Sequence, residues 1–165
     1  MLKQELMNEF LHEGENTRRL LNAVTDSVLN WRPAEKNWTT AELASHIAAM
    51  YDWYPAVLNQ NELVLDAYQY EREDLTRAAN IVAKFEENFA KAQKAIESFD
   101  ESKAMENWSL IKGGQAAIPP TPRAAIIRTL LCNHIYHHRG QLVTYLRANG
   151  LSVPGLYGPT AEGTR

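Results

Sequence analysis

The chain has 165 residues, and its 17 basic and 20 acidic side chains give a net charge of −3 at pH 7. This length suits a single domain, residues 1–165, which needs neither disulfides nor a structural metal because it buries about 70% of its unfolded surface. The basic residues are scattered along the chain, which argues against a nucleic-acid-binding surface. We therefore expect no nucleic acid partner.

Cysteine usage and hydropathy indicate the compartment. Cys132 is the one cysteine, which excludes an internal disulfide and every cysteine-based zinc motif. Residues 1–6 carry charges where a signal peptide needs an apolar core. No apolar run approaches the roughly 20 residues that span a bilayer. We expect a cytoplasmic protein that does not associate with membranes.

The first half of the chain has the apolar spacing of two helices. Apolar positions recur at threes and fours over residues 2–24, and Gly14 allows a close approach to a neighbouring helix. A second helix is predicted from residue 43 to about residue 58, with Thr39 or Thr40 as its N-cap. Both helices are amphipathic, so each is expected to bury one face.

The second half predicts two more helices separated by a long connection. Residues 59–71 are interpreted as a connection, and residues 75–100 as a third helix. Residues 101–122 contain glycines and prolines and are predicted to form a loop or a short hairpin. The fourth helix begins at Pro122 and extends to about residue 149. Four long helices indicate an all-α fold, a four-helix bundle, which builds ligand and metal sites from side chains on facing helices.

The most informative motif is a cluster of histidines in the fourth helix. His134 and His138 are four residues apart, so their imidazoles lie on one helix face and are close enough to share a metal ion. His137 points about 100° away from His138, so we expect it either to face outward or to contact the ligands without binding the ion itself. The same spacing also arises by chance in a chain with five histidines, and a single histidine such as His46 is more often a hydrogen-bonded core residue.

Three stretches of sequence together resemble the DinB-like superfamily, which includes the DinB/YfiT group of metalloenzymes. They are Trp38-Thr39-Thr40-Ala41-Glu42-Leu43-Ala44-Ser45-His46-Ile47, His134-Ile135-Tyr136-His137-His138-Arg139-Gly140-Gln141-Leu142 and Tyr145-Leu146-Arg147. The resemblance implies an up-down-down-up bundle in which one histidine of the second helix and two of the fourth hold a divalent ion. Those positions are His46, His134 and His138. The resemblance also implies zinc or nickel as the metal, and a homodimer.

Three neutral imidazoles leave a divalent ion its full charge and an open coordination position, as in catalytic zinc sites. Two chemistries are compatible with this arrangement: hydrolysis by bound water, and transfer of a bound thiolate to an electrophile. The resemblance favours transfer of a low-molecular-weight thiol. Hydrolysis would need a base, for which Glu42 is a candidate that could equally face solvent. A non-enzymatic stress or scaffolding bundle is the third possibility.

The surroundings of the ion are predicted to be apolar and aromatic, with residues 101–122 as a possible cover. The predicted lining is Met50, Trp53, Tyr54, Ile127 and Leu131, with Trp108 from the cover, although each of these aromatics taken singly also suits an ordinary core. Cys132 is turned about 160° from His134 and is expected in the bundle wall. Arg139 and Gln141 lie off the metal face, where they could bond neighbouring helices or the tail.

Overall fold

The computed structural model describes residues 2–71 and 73–161. Its helices are α1 (Leu2–Leu21), α2 (Thr40–Met50), α3 (Tyr54–Asn59), α4 (Ala78–Ser98), α5 (Arg123–Ile126) and α6 (His134–Ala148). A 3₁₀ turn, Tyr51–Trp53, joins α2 to α3, and a π-helical segment, Ile127–Asn133, joins α5 to α6. Four long helical segments therefore result, as the sequence predicts: α1, a second segment from α2 to the end of α3, α4 as the third, and a fourth segment from α5 to the end of α6.

The N-cap of α2 is Thr39, one of the two candidates. Its side chain accepts a hydrogen bond from the Glu42 backbone at 3.1 Å, and the Glu42 carboxylate accepts one from the Thr39 backbone at 2.7 Å. This reciprocal capping box satisfies two backbone donors that a helix start would otherwise leave unpaired. It explains why α2 begins at Thr40, three residues earlier than predicted.

Contacts between α1 and the two later long helices show their relative directions. Lys3 Nζ donates to the Glu97 carbonyl, whereas Arg18 pairs with Glu86 at 2.6 Å, so α1 and α4 are antiparallel. On the other side of α1, Glu9 pairs with Arg128 at 2.7 Å and Glu13 pairs with Arg139. The later residue of α1 contacts the later residue of the fourth segment, so α1 and the fourth segment are parallel.

The second segment runs opposite to the fourth. The Tyr145 hydroxyl donates to the Trp38 carbonyl at 3.3 Å near one end, and Arg123 donates to the Val57 carbonyl near the other. Asn88 of α4 donates to the Ala48 carbonyl at 3.1 Å, which places α4 beside α2. The resulting order of directions is up-down-down-up, and the predicted four-helix bundle is confirmed.

The structure adds a small sheet to one end of the helical bundle. Strands β1 (Glu62–Val64), β2 (Asn107–Lys112) and β3 (Gln115–Pro122) lie in that order, with β1 parallel to β2 and β2 antiparallel to β3. Gly113 and Gly114 form the turn with φ angles of 58° and 70°, a conformation that favours glycine at both positions. The hairpin alternative for residues 101–122 is therefore correct, whereas β1 was not predicted.

The interior between α1 and α4 is packed around Gly14. A Cβ atom at this position would lie 2.1 Å from Cε2 of Phe89, so any larger residue would collide with that ring. Phe89 in turn stacks on Phe10 with ring centroids 4.5 Å apart. The close helix approach expected from Gly14 is thus present. Among the helices of residues 2–71 and 73–161, none combines the length and the apolar character needed to cross a membrane.

Candidate metal centre

Two helical segments bring three histidines together at one point. His46 comes from α2, and His134 and His138 come from α6 immediately after the π-helical segment. One ring nitrogen from each residue lies within 4.8 Å of the other two. The Nε2 atoms of His46 and His134 are 3.4 Å apart. The three residues singled out in the sequence therefore converge in the folded chain.

The spacing of these nitrogen atoms fits a metal ion. A tetrahedral zinc ion with Zn–N bonds of 2.0–2.1 Å would separate two of its nitrogen ligands by about 3.4 Å. The observed separation for His46 and His134 matches that value, although it also permits a hydrogen bond between the rings. In the described part of the chain, these histidines are the one group of three or more such side chains close enough to hold a metal ion.

Gln141 orients the ring of His138. Its Oε1 atom lies 2.7 Å from His138 Nδ1. Because an amide oxygen can only accept, Nδ1 carries the proton and Nε2 keeps its lone pair. Hydrogen bonds of this kind fix the tautomer of metal-binding histidines. Gln141 thus belongs to the site, which corrects the prediction that it lies away from the metal face; its i+3 position relative to His138 was the overlooked signal.

Burial keeps the three imidazoles neutral. The pKa of His46 is lowered from 6.5 to about 4, chiefly because burial penalises the charged ring and also because the other two rings would repel it. Burial likewise lowers the pKa values of His134 and His138. Metal binding requires the neutral ring, so at neutral pH these side chains are already in the form that can bind an ion.

Trp38 covers one side of the histidine group. Its ring centroid lies 4.8 Å from that of His46 and 5.6 Å from that of His138. The hydrogen bond from Tyr145 to its carbonyl holds the backbone of Trp38 against α6. The side chain is nevertheless 46% exposed, so it lies between the histidines and solvent. Trp38 was not among the aromatic residues predicted to surround the ion.

A cleft of about 260 Å³ opens beside His46. Its other walls include Trp38, Glu42, Ser45, Tyr70, Glu73 and Leu75. Tyr70, Glu73 and Leu75 belong to the connection between β1 and α4. The sequence of that connection has no apolar periodicity, so no pattern in it indicated that these residues face the site. The cleft is consequently more acidic than the apolar pocket that was expected.

The predicted apolar lining is wrong because those side chains belong to the core. Trp53 is half-buried and its ring contacts that of Tyr68. The other five predicted side chains are buried: Met50, Tyr54, Ile127, Leu131 and Trp108. None of the six lines the cleft beside His46. Trp108 donates from Nε1 to the Ala56 carbonyl at 3.2 Å, which ties the hairpin to α3 rather than to the histidines.

The remaining candidates take different places. Cys132 is buried, as predicted, and burial raises the pKa of its thiol. His137 is exposed, as predicted, with its ring 5.0 Å from that of His138. Arg139 is buried and bonds to Glu13 of α1 and to Tyr157 of the tail, which agrees with the expected contacts to a neighbouring helix and the tail.

Glu42 lies at the cleft with only part of its carboxylate available. The chain places it one turn before His46, and it lines the same cleft. Its Oε2 atom is engaged by the capping hydrogen bond with Thr39. Glu42 is therefore a helix cap, and Oε1 is its oxygen atom without a capping role.

Comparisons with known proteins agree with this architecture. YrdA of Bacillus subtilis (strain 168) is 27% identical over 150 residues, which cover 91% of this chain and 84% of that protein. A DinB-like protein from Bacillus cereus ATCC 10987 has a similar crystal structure, with a TM-score of 0.72, 23% identity, and coverage of 93% of this chain and 97% of that one. The DinB-like protein YjoA of Bacillus subtilis has a TM-score of 0.73 at 18% identity, with 98% and 99% covered. The sequence profile of the DinB family matches residues 1–164, and the chain belongs to that family.

Proposed function

We propose that the protein binds one divalent metal ion, zinc or nickel, through His46, His134 and His138. The observation that carries this proposal is the convergence of three neutral imidazoles from two helices, with ring nitrogens within 4.8 Å of one another. Such a set of ligands leaves at least one coordination position open, which is typical of catalytic rather than structural zinc.

We further propose a metal-dependent transferase that joins a low-molecular-weight thiol to an electrophile. An ion in this site would favour the thiolate form of a bound thiol. In the reaction the thiol releases its S–H proton to solvent, its sulfur forms a bond to the electrophilic carbon, and the leaving group departs with its electron pair. The chain offers no nucleophilic thiol of its own here, since Cys132 is buried and is not part of the histidine group.

The protein's own side chains would bind and orient the reactants. Gln141 keeps Nε2 of His138 unprotonated, and Trp38 shields two of the imidazoles from solvent on one side. The cleft beside His46 provides space for a small molecule. These roles depend on packing and hydrogen bonds that exist before any ligand binds, so the site is preorganised.

A metal-dependent hydrolase is the second candidate. It is favoured by Glu42, whose Oε1 atom has no capping role and which lines the same cleft as His46. A single carboxylate oxygen could serve as the base that hydrolysis needs. The third candidate, a non-enzymatic stress-related bundle, predicts that purified protein lacks stoichiometric metal.

The proposed function can be tested with cobalt-substituted protein. A small thiol should produce a sulfur-to-metal charge-transfer band at a pH well below the free thiol pKa of about 8.5. His138→Ala should abolish the band, whereas His137→Ala, the matched control on the exposed face, should retain it. If thiols leave the spectrum unchanged while hydroxide changes it near neutral pH, the hydrolase replaces the transferase.

The proposed assembly rests on the family resemblance, and the proposed location rests on cysteine usage and hydropathy. We propose a homodimer in the cytoplasm, acting on a small-molecule thiol and an electrophilic substrate. Sedimentation analysis of the metal-loaded protein measures the first of these directly. A monomer at micromolar concentration would contradict it without affecting the proposed metal site.

A further inference from the structure

The cleft beside His46 is lined by two acidic side chains that have no role in the proposed transfer reaction. Glu42 and Glu73 line it, and none of the described residues in its walls is a lysine or an arginine. In the metal-free protein, the described walls of the cleft therefore contain two carboxylates and no basic side chain. A cleft with walls of one charge concentrates ligands of the opposite charge.

Glu73 presents an atom without a partner. Its Oε1 is buried and accepts no hydrogen bond from any described residue, and its Oε2 lies 3.4 Å from the Tyr70 hydroxyl that donates to it. A buried carboxylate oxygen without a donor is unfavourable, because its hydrogen bonds to water are lost and no protein donor replaces them. The cleft therefore contains an acceptor that a cationic ligand could satisfy.

The carboxylate of Glu73 is held in place by a chain of hydrogen bonds. Asn88 Nδ2 lies 3.4 Å from the Tyr70 hydroxyl, and the same amide donates to the Ala48 carbonyl of α2 at 3.1 Å. Asn88 is fully buried in α4. The loop that contains Glu73 is thus connected through Asn88 of α4 to α2, the helix that carries His46, which fixes the acceptor relative to His46.

Aromatic rings complete the surroundings of a cation. Trp38 and Tyr70 both line the cleft, and the faces of tryptophan and tyrosine attract positive charge. The ammonium of Lys84 already lies 6.0 Å from the Tyr70 ring centroid, but it pairs with Glu87 at 2.9 Å. Among the described contacts, Lys84 forms no ion pair with Glu73.

We infer that the cleft receives an organic ammonium group, so that the substrate carries a positive charge beside its reactive end. The ammonium would lie against Glu73, Glu42 and the two aromatic rings, while the reactive end reaches His46. The placement of the reactive end at His46 rests on the proposed function. The ammonium site itself does not depend on the proposed function.

The first experiment compares two thiols of the same shape on cobalt-substituted protein. Thiocholine carries a trimethylammonium group, and 3,3-dimethylbutane-1-thiol replaces it with a neutral tert-butyl group. We expect thiocholine to titrate the charge-transfer band at a concentration about 10-fold lower. Glu73→Gln should reduce this preference to less than about twofold and leave binding of the neutral thiol unchanged.

The control for this variant is Glu71→Gln. It removes the same charge from an exposed residue of the same loop that does not line the cleft. The preference for thiocholine should survive in this variant. If both variants lose the preference for thiocholine equally, that preference reflects general electrostatic attraction, and the proposed ammonium site is wrong.

The second experiment works without metal and without thiol. Choline and its neutral isostere 3,3-dimethylbutan-1-ol are titrated into metal-free protein, and backbone amide shifts are followed by NMR. Choline should shift the amides of Ser45 and Glu73, the alcohol should not, and Glu73→Gln should remove the difference. This result would support the ammonium site even if no thiol binds the metal.

Equal shifts from choline and the alcohol, or none from either, would overturn the inference. The same outcome would leave the proposed function intact if thiols still perturb the cobalt spectrum. The two failures are therefore distinguishable.

Discussion

The two ends of the bundle use buried polar side chains in opposite ways. At the hairpin end, Trp108 and Arg123 donate hydrogen bonds to the carbonyls of Ala56 and Val57 in α3. At the other end, one ring nitrogen of each of the three histidines lies close to those of the other two. Side chains that bond to backbone carbonyls hold the fold, whereas groups that converge on each other are available to a ligand. The following predictions test that division.

The largest expected effect lies at the hairpin end. Trp108→Ala removes a side chain with no solvent exposure and should lower the free energy of unfolding by about 3–5 kcal/mol. Metal affinity of the folded fraction should stay the same, because Trp108 does not line the cleft beside His46. Chemical denaturation and metal titration measure the two quantities. If Trp108→Ala also weakened metal binding, the two ends of the bundle would not have the separate roles described above.

Removal of the metal should lower the stability by a similar amount but leave the fold intact. If the proposed ion is bound, chelation should cost roughly 3–4 kcal/mol of stability at 100–1,000 times the dissociation constant. The helical circular dichroism should persist, since the buried apolar core includes none of the three histidines. Complete unfolding in EDTA at room temperature would mean that the metal is structural.

Gln141→Leu tests the orientation of one ligand. The variant removes the acceptor that holds His138 Nδ1 and should weaken metal binding by about 10–100-fold, the usual cost of losing such a partner. Gln93→Leu on α4, which removes a half-buried glutamine that pairs with Glu97, is the matched control. Equal affinities in the two variants would show that packing alone orients the His138 ring.

Cys132 is expected to be unreactive in the folded protein. Its side chain is buried and burial raises the pKa of the thiol, so little thiolate exists at pH 8. A maleimide or disulfide reagent should label it only after unfolding, which mass spectrometry detects. Rapid labelling of native protein would reveal a reactive thiol that competes with the proposed exogenous one.

The smallest effect is expected for His137→Ala. The residue is exposed, so stability should change by less than about 0.5 kcal/mol. Metal affinity should change by less than about twofold, because His137 is not in the group of converging nitrogens. Isothermal titration with zinc provides the measurement. A tenfold loss would place His137 among the ligands and change the geometry proposed here.

Much of the helical architecture could be predicted because it depends on local pattern. Apolar residues at threes and fours determine which face of each helix is buried, and Gly14 permits the approach of Phe89. Thr39 and Glu42 form the capping box that starts α2, and Gly113 and Gly114 suit the hairpin turn. Each of these features involves residues within a few positions of one another, apart from the contact with Phe89.

The meeting of His46 with the His134 and His138 pair was available from the sequence only through the family resemblance. The four-residue spacing placed the pair on one face, but nothing local joins it to a residue 88 positions away. The antiparallel packing of α2 against α6 makes that connection. Tertiary structure also separated Trp38, which covers the site, from Trp108, which anchors the hairpin.

The acidic cleft was decided by tertiary structure alone. Tyr70 and Glu73 lie in a connection without periodicity. Asn88 of α4 donates a hydrogen bond to the Tyr70 hydroxyl, and Tyr70 in turn donates to Glu73, which places both beside His46. The sequence by itself determined the helices, the turn and the spacing of the histidine pair, because these depend on nearest neighbours along the chain. The walls of the cleft depend on which distant segments the bundle packs together, and no local pattern encodes that choice.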